Sequence, residues 1–136
     1  MDRGIYLGSH LEAMCEVVAA QGDWDTAAEI VPMARAEAER GELLALPLFA
    51  DRLDGRSASA LGDAERATRM LQRSAEGFRR LEARWEQAWS NLLLGEVLLD
   101  ADPGRARLVV EAAAATFRDL RSVQEEDRAA KLLAQL

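Results

Sequence analysis

A short Gly-Asp corner recurs along this 136-residue chain at nearly constant spacing. The stretches "QGDWDTAAEI" (21–30) and "LGDAERATRM" (61–70) both read Gly-Asp, three residues, then Ala, and "DADPGRARLV" (100–109) is a looser third copy. The alanines of the three copies are Ala27, Ala67 and Ala106, so the second interval is shorter than the first by a single residue. A nearly fixed period of about 40 residues indicates a helical supersecondary unit that packs on copies of itself.

Apolar residues before and after each corner follow helical spacing. Leu11, Met14, Cys15 and Val18 occupy i, i+3, i+4 and i+7 positions, and no stretch alternates with the period of two that is typical of a strand. Gly ends one helix and Asp caps the next, so each corner predicts a helix-turn-helix unit. The pattern predicts seven helices, over about 9–21, 24–40, 44–61, 64–81, 84–101, 103–120 and 123–135.

Proline positions test this assignment. Pro103 follows the predicted cap Asp102 and fits the first helical position, and Pro47 lies near a helix start. Pro32 lies about two turns inside the second helix, where it removes a backbone hydrogen bond and crowds the carbonyl of Ala28. We expect either a kink there or a later helix start.

Composition narrows the class of protein. A formal net charge of −7 argues against direct nucleic-acid binding, since that affinity comes largely from neutralised phosphates, and against an anionic membrane surface. No apolar run approaches the roughly 18 residues that span a bilayer, and Glu12 and Glu16 interrupt the start where a signal peptide would be apolar. The single cysteine, Cys15, forms no internal disulfide. We expect a cytoplasmic protein.

The spacing within the units resembles that of tetratricopeptide repeats. The first unit places large, large, small, large, then Ala, large and small residues at Leu11, Met14, Cys15, Val18, Ala27, Val31 and Ala34. The second keeps Gly55 and Ala67 but has Asp51 and Asp54 where large residues are usual. The third fits more loosely, with Ser90 at the first large position and Leu94 at the small one. The second unit also keeps Ala58, Leu71 and Ser74, and the other matching positions of the third are Leu93, Val97, Ala106, Val110 and Ala113.

This resemblance implies an all-α fold, an α-solenoid of about three helix-turn-helix repeats with a closing helix. We expect one domain over residues 1–136. The predicted repeats cover about 8–41, 44–81 and 84–120, and the closing helix covers about 123–136.

The units are longer than the commonest tetratricopeptide repeat. Units of this length with "ALGD" corners resemble the repeat regions of large bacterial transcriptional activators, the LuxR-type ATPase regulators of the maltose-activator class. Such regions join a nucleotide-binding switch to a DNA-binding domain and bind an effector or a partner. The resemblance implies a non-catalytic scaffold that binds a protein or peptide. The alternative is a module of such a regulator that senses a small-molecule effector. The sequence contains neither a phosphate-binding loop nor a basic recognition helix.

Catalytic and metal-binding constellations are lacking in the sequence. His10 and Cys15 are five residues apart on one helix, about 140° around its axis, so they face different directions. Cys15 occupies a small core position, where a buried, inert thiol is expected. Asp51 and Asp54 are i, i+3 neighbours flanked by Arg52 and Arg56, which favours a solvated ion-pair face. We expect no enzyme, no metal and no cofactor.

A binding surface is expected on the first helix of each pair, which lines the concave side of such solenoids. Arg clamps carboxylates and Asn bonds peptide backbones, while an ordinary solvated face remains the alternative. An open groove favours a protein or peptide partner, and a closed pocket lined by Arg52 and Arg56 favours an effector. The predicted residues are Glu12, Glu16, Phe49, Arg52, Arg56 and Asn91.

Tryptophans and chain ends give two further expectations. Trp85 and Trp89 are expected in the core, and Trp24 is expected to pack at the first corner. A solenoid exposes apolar surface at its ends unless it is covered, so we expect a homodimer through a terminal helix. The apolar residues of these ends are Ile5, Tyr6, Leu7, Leu11, Ala130, Leu132, Leu133 and Leu136.

Overall fold

The computed structural model describes residues 3–136, with side chains from Leu7 onward, and confirms the all-α fold class. Seven helices and no strand occupy this range. The helices are α1 (Arg3–Gln21), α2 (Trp24–Gly41), α3 (Leu46–Ala60), α4 (Ala64–Arg80), α5 (Arg84–Leu98), α6 (Pro103–Asp119) and α7 (Val123–Leu133). Their bounds follow the predicted ones closely, except that α1 begins at Arg3 rather than near residue 9.

Aspartate caps the second helix at each of the three Gly-Asp-type corners, as predicted. A carboxylate oxygen accepts a hydrogen bond from the backbone N–H three residues later, which satisfies one donor of the first turn. The donor–acceptor distances are 3.1 Å for Thr26 on Asp23, 3.1 Å for Arg66 on Asp63 and 3.2 Å for Arg105 on Asp102. The recurring corner is therefore a recurring helix cap.

A left-handed residue ends the preceding helix at five of the six connections. Gly22 and Gly62 adopt φ values of 66° and 86°. In all five, the next N–H bonds the carbonyl five residues earlier, as in a Schellman motif. The connection from α5 to α6 lacks a left-handed residue. The three left-handed residues other than glycine follow the period of the repeat, at Glu42, Glu82 and Arg121.

The chain forms two compact units, Met1–Met70 (unit 1) and Leu71–Leu136 (unit 2), and the border lies inside α4. In unit 1, α1 packs against both α2 and α3, and α2 packs against α3. Its apolar core consists of Leu11, Cys15, Val18, Ala19, Ala27, Ile30, Ala34, Ala38, Leu46, Ala50 and Leu53. Trp24 packs against this core, as predicted.

In unit 2, α5 packs against both α6 and α7, and α6 packs against α7. Trp85 and Trp89 pack against its core, as predicted, with their ring centroids 6.0 Å apart. The buried core residues are Leu71, Ala88, Leu92, Leu93, Leu94, Leu98, Ala106, Val110, Ala113, Ala114, Phe117, Ala129 and Leu132. In unit 1 α1, and in unit 2 α5, thus packs on the two helices that follow it, an arrangement typical of helical repeats. The prediction of a single domain stays a prediction.

The prolines occupy the expected positions in the helices. Pro47 and Pro103 lie in the first turns of α3 and α6. Pro32 lies inside α2, which begins at Trp24. The alternative of a later helix start is therefore wrong.

The chain ends are better covered than expected. Leu11 and Leu132 are buried in the cores of their units, which corrects the expectation that they are uncovered. The side chains of Ile5 and Tyr6 lie outside the described residues. The end residues that stay exposed or half-buried are Leu7, Ala130, Leu133 and Leu136. The homodimer stays a prediction.

The left-handed corners predict a gain in stability from glycine. Glu82 has a φ of 56° and an exposed side chain, so Glu82→Gly removes the steric cost of a Cβ in this conformation. We expect a gain of about 0.5–1 kcal/mol in the free energy of unfolding, measured by urea titration. Glu65→Gly, in the first turn of α4, is the control and should destabilise. A loss of stability for Glu82→Gly would contradict the corner geometry.

The repeat alanines predict strict limits on side-chain size. Ala67 and Ala106 are fully buried, so Ala→Leu at either position overpacks a helix crossing. We expect losses of about 1–3 kcal/mol in thermal or urea unfolding. Leu108→Ala, at an exposed position of α6, should leave stability nearly unchanged. Unchanged melting of both leucine variants would show that these alanines do not lie at close crossings.

Candidate functional site

Three of the four charged residues of α3 are buried, contrary to the solvated ion-pair face expected from the sequence. The relative exposures are 2% for Asp51, 1% for Arg52 and 9% for Asp54. Burying charges is costly unless each is paired and hydrogen-bonded. The helix therefore depends on partners from neighbouring helices of unit 1.

Two arginines from the neighbouring second helices pair with the buried aspartates. Arg35 of α2 donates to Asp51 Oδ1 at 2.7 Å and to Asp54 Oδ2 at 3.0 Å. Arg66 of α4 donates to both carboxylate oxygens of Asp54, at 2.9 and 2.7 Å. Two acids and two arginines thus form a cluster without net charge, which we call the ion cluster.

Hydrogen bonds decide the protonation of Asp54 in this cluster. Burial raises the pKa of Asp54, but hydrogen bonds from Arg66 and Arg35 outweigh it, so the pKa lies below its ordinary 3.8. Burial lowers the pKa of Arg35, yet the bonds to Asp51 and Asp54 raise it overall. Asp54 and Arg35 therefore stay ionised near neutral pH, and the cluster is structural because its charges satisfy one another.

A second charged contact joins three of the predicted binding residues. Arg52 donates through Nε and Nη2 to Glu16 Oε1, at 3.1 and 2.6 Å. Its guanidinium carbon lies 5.1 Å from the ring centroid of Phe49, within cation–π range. Arg52 is thereby held inside unit 1.

Three predicted binding residues remain, two in unit 1 and one in unit 2. Glu12 is half-buried and lines a hollow of about 240 Å³ beside Leu43 and Leu44 in unit 1. Arg56 is half-buried on α3. Asn91 belongs to unit 2, where it lines a larger depression.

This depression in unit 2, which we call the groove, has a volume of about 370 Å³ and is open to solvent. Residues of α4, α5 and α6 line it, so it runs along α5 between two second helices. The lining residues are Gln72, Ala75, Glu76, Gln87, Asn91, Leu94, Arg105 and Val109.

Side-chain amides are concentrated in the groove. The chain has six Asn and Gln residues, and three of them, Gln72, Gln87 and Asn91, line it. Gln87 and Asn91 lie four residues apart on one face of α5, and their side-chain amides have no hydrogen-bond partner among the side chains that the structure describes. Each amide offers two N–H donors and a carbonyl acceptor. The groove therefore presents both hydrogen-bonding functions of a peptide group.

Arg105 brings a positive charge without an acidic partner to this groove. Its Nη2 donates to Gln72 Oε1 at 2.6 Å, a neutral acceptor, and no ion pair of this side chain occurs among the described residues. Glu76, by contrast, bonds both Nε and Nη2 of Arg79, at 3.0 and 2.6 Å. Other basic residues of unit 2 with an acidic partner are Arg80, Arg84, Arg107, Arg118, Arg128 and Lys131.

The register predicted for the third repeat is wrong by one residue in α5. A Cβ on Gly95 would collide with Val110 Cγ2, so Gly95, and not Leu94, is the small residue at the crossing with α6. The small positions Cys15, Gly55 and Gly95 then recur at one constant interval. The interval from Ala67 to Ala106 is one residue shorter than the interval from Ala27 to Ala67. Since the small positions keep their interval, the chain is shortened at the α5–α6 connection, which has no left-handed residue.

With this register the groove and the ion cluster occupy equivalent positions of the repeat. One repeat after Arg35, Asp51 and Asp54 come Ala75, Asn91 and Leu94. Beyond the shortened connection the interval loses one residue, and Arg66 corresponds to Arg105. In unit 2, Ala75 thus stands in place of Arg35. Neutral residues, Asn91 and Leu94, stand in place of the two aspartates. The same positions are therefore filled by ion pairs in unit 1 and open in unit 2.

The described residues contain neither a reactive thiol nor a metal site nor a membrane-spanning helix. Burial, followed by the charge of Glu16, raises the pKa of Cys15 to about 12, so its thiol stays protonated, as expected of a core cysteine. No group of three His, Cys, Asp or Glu residues is arranged to hold a metal ion within 3–136. No helix of that range is long and apolar enough to cross a membrane.

Comparison with known proteins gives no relative: no family model, curated protein or solved structure matches the chain.

The ion cluster predicts an acid-sensitive stability. Because folding lowers the pKa of Asp54, its stabilisation is complete above pH 3.8 and is lost as pH falls through the lower folded value. Asp54→Asn should cost about 1–3 kcal/mol at pH 7 and should flatten the fall in stability below pH 4. Urea titrations from pH 2.5 to 7 measure both effects. Glu29→Gln, which removes an exposed charge of unit 1, is the control, and an equal profile for both variants would contradict the assignment.

Proposed function

We propose that this chain is a non-catalytic helical-repeat module that binds a segment of a partner protein in the groove of unit 2. The observation that carries the proposal is the open groove with unpartnered amides along α5. Amides match the peptide group, since each can donate and accept at the same time. These binding residues stand on helices that pack against the core of unit 2, so they are positioned before the partner arrives.

The open form of the groove favours a polypeptide over a small effector. Small-molecule sites bury about 70–90% of a ligand, usually in a largely apolar cavity. Here the groove is open, and five of its eight lining residues are polar. A closed pocket lined by Arg52 and Arg56 would favour an effector, but Arg52 is 1% exposed and bonds Glu16.

The resemblance of the corners to maltose-activator-type regulators supports a more specific proposal. In such a regulator, a partner bound in the groove would shift the activity of a neighbouring domain. This assignment rests on the style of the repeats alone, whereas the binding proposal rests on the groove.

Side-chain amide signals provide a direct test of the binding proposal. Titration of the ¹⁵N-labelled chain with pools of end-capped degenerate nonapeptides should shift the side-chain NH₂ signals of the three groove amides. The amides of Gln21, Gln124 and Gln135 lie outside the groove and should stay unchanged. Absence of shifts with every pool at millimolar concentration, or equal shifts of all six amides, would refute the proposal.

A groove-filling variant sharpens this test. Gln87→Trp should weaken binding at least tenfold, because the indole occupies the volume along α5. Gln124→Trp, at an exposed position of α7, is the matched control and should bind like the parent.

A further inference from the structure

We propose that the groove selects an extended acidic peptide. An Asp or Glu side chain of this peptide pairs with Arg105 in the same way that Asp54 pairs with Arg66 at the equivalent position of unit 1. The inference rests on the proposed function, and it names the class of partner and the way it is recognised. Three observations carry it: the equivalence of the two repeat positions, the charge of Arg105 and the spacing of the amides.

The ion cluster of unit 1 shows how this repeat position binds a carboxylate. Arg66 holds both oxygens of Asp54 in bidentate fashion, at 2.9 and 2.7 Å. Leu94 stands at the position of Asp54 in unit 2, so Arg105 has no carboxylate from its own chain among the described residues. Ala75 stands at the position of Arg35, which leaves room beside Arg105. A carboxylate of a ligand can therefore pair with Arg105 and occupy the space beside Ala75.

Charge in the groove favours an acidic ligand over a basic one. Glu76, the one acid in the lining, is already neutralised by Arg79 through two hydrogen bonds. Arg105 is bonded only to the neutral amide of Gln72. A carboxylate bond from arginine is stronger than such a neutral one because it is charge-assisted.

The amide spacing on α5 fits an extended main chain. Residues four apart on a helix are separated by about 6 Å along its axis, since each residue rises about 1.5 Å. Two residues of an extended chain span about 6.6–6.8 Å, so alternate peptide groups recur at nearly the same interval. Gln87 and Asn91 can therefore bond two successive peptide groups that face the same side.

The floor of the groove contributes little to the recognition of other side chains. Ala75 and Leu94 are 6% and 2% exposed, so they offer little surface to a ligand side chain. Of the apolar lining residues only Val109 is half-buried, so recognition depends mainly on the main chain and on one acidic side chain. We expect moderate affinity with a clear preference for acid and with tolerance at the other positions.

End-capped heptapeptides of serine, threonine and alanine with one central residue test this inference on the full chain. The central residue is glutamate, glutamine or lysine, and binding is followed by the same amide signals. The glutamate peptide should bind at least tenfold more tightly than the other two, and 500 mM salt should reduce the difference. The glutamate peptide methylated on alternate backbone nitrogens should lose most of its affinity.

Arg105→Gln separates charge recognition from main-chain recognition. It should abolish the preference for glutamate and leave the weaker affinity common to all three peptides. Arg107→Gln, two residues away on the exposed side of α6, is the matched control and should keep the preference. Circular dichroism and thermal melting of both variants verify that the fold is kept.

The outcomes distinguish this inference from the proposed function. Equal binding of the three peptides at the groove would overturn the acidic selectivity and leave the binding module intact. Equal binding of N-acetylglutamate amide and the glutamate peptide would overturn the peptide in favour of a small carboxylate. An unchanged preference in Arg105→Gln would overturn the role of Arg105. Absence of binding by the degenerate nonapeptide pools and by all three heptapeptides would refute both proposals.

Discussion

Close approach of neighbouring helices is the constraint on which the rest of this structure depends. Two helices come close only where the side chain at their crossing is small, because protein interiors have no spare volume. Ala27, Ala67 and Ala106 are fully buried, and Gly95 has no room even for a methyl group beside Val110. These positions fix which faces of α2, α4, α5 and α6 are turned inward. The inward faces in turn determine where the charged residues of unit 1 and the amides of unit 2 lie.

Local signals explain why the helices could be predicted from the sequence, and long-range pairing explains what could not. The caps at Asp23, Asp63 and Asp102 act within three residues, so their pattern is visible in the chain itself. Burial of Asp54 depends on Arg35, 19 residues earlier, and on Arg66, 12 residues later. From the sequence alone, Asp51 and Asp54 are flanked by Arg52 and Arg56 and are therefore predicted to be solvated. Their burial becomes predictable only when the distant arginine partners are known.

The register of α5 was missed for a different reason. The interval from Ala67 to Ala106 is one residue shorter than the interval before it, but this difference does not reveal where the residue was lost. The loss lies at the connection without a left-handed residue, so it displaces α6 and not α5.

Most residues of the groove were also not predicted from the sequence. Of the six expected binding residues, only Asn91 lines it, while Gln72, Gln87 and Arg105 were not expected there. The concentration of amides was the available signal, because three of the six in the chain fall between Gln72 and Asn91. The position of Arg105 beside them depends on the packing of α6 against α5, which no local pattern reveals.

The bond between Arg105 and Gln72 has a consequence for the energetics of recognition. A free arginine side chain loses rotamer freedom when it binds a partner, which costs about 0.5–1.5 kcal/mol. Gln72 already restricts Arg105 in the unbound chain, through a bond of 2.6 Å from α6 to α4. Part of the ordering cost is therefore met during folding. The proposed acidic ligand would exchange one hydrogen-bond acceptor for another at a guanidinium that Gln72 already holds.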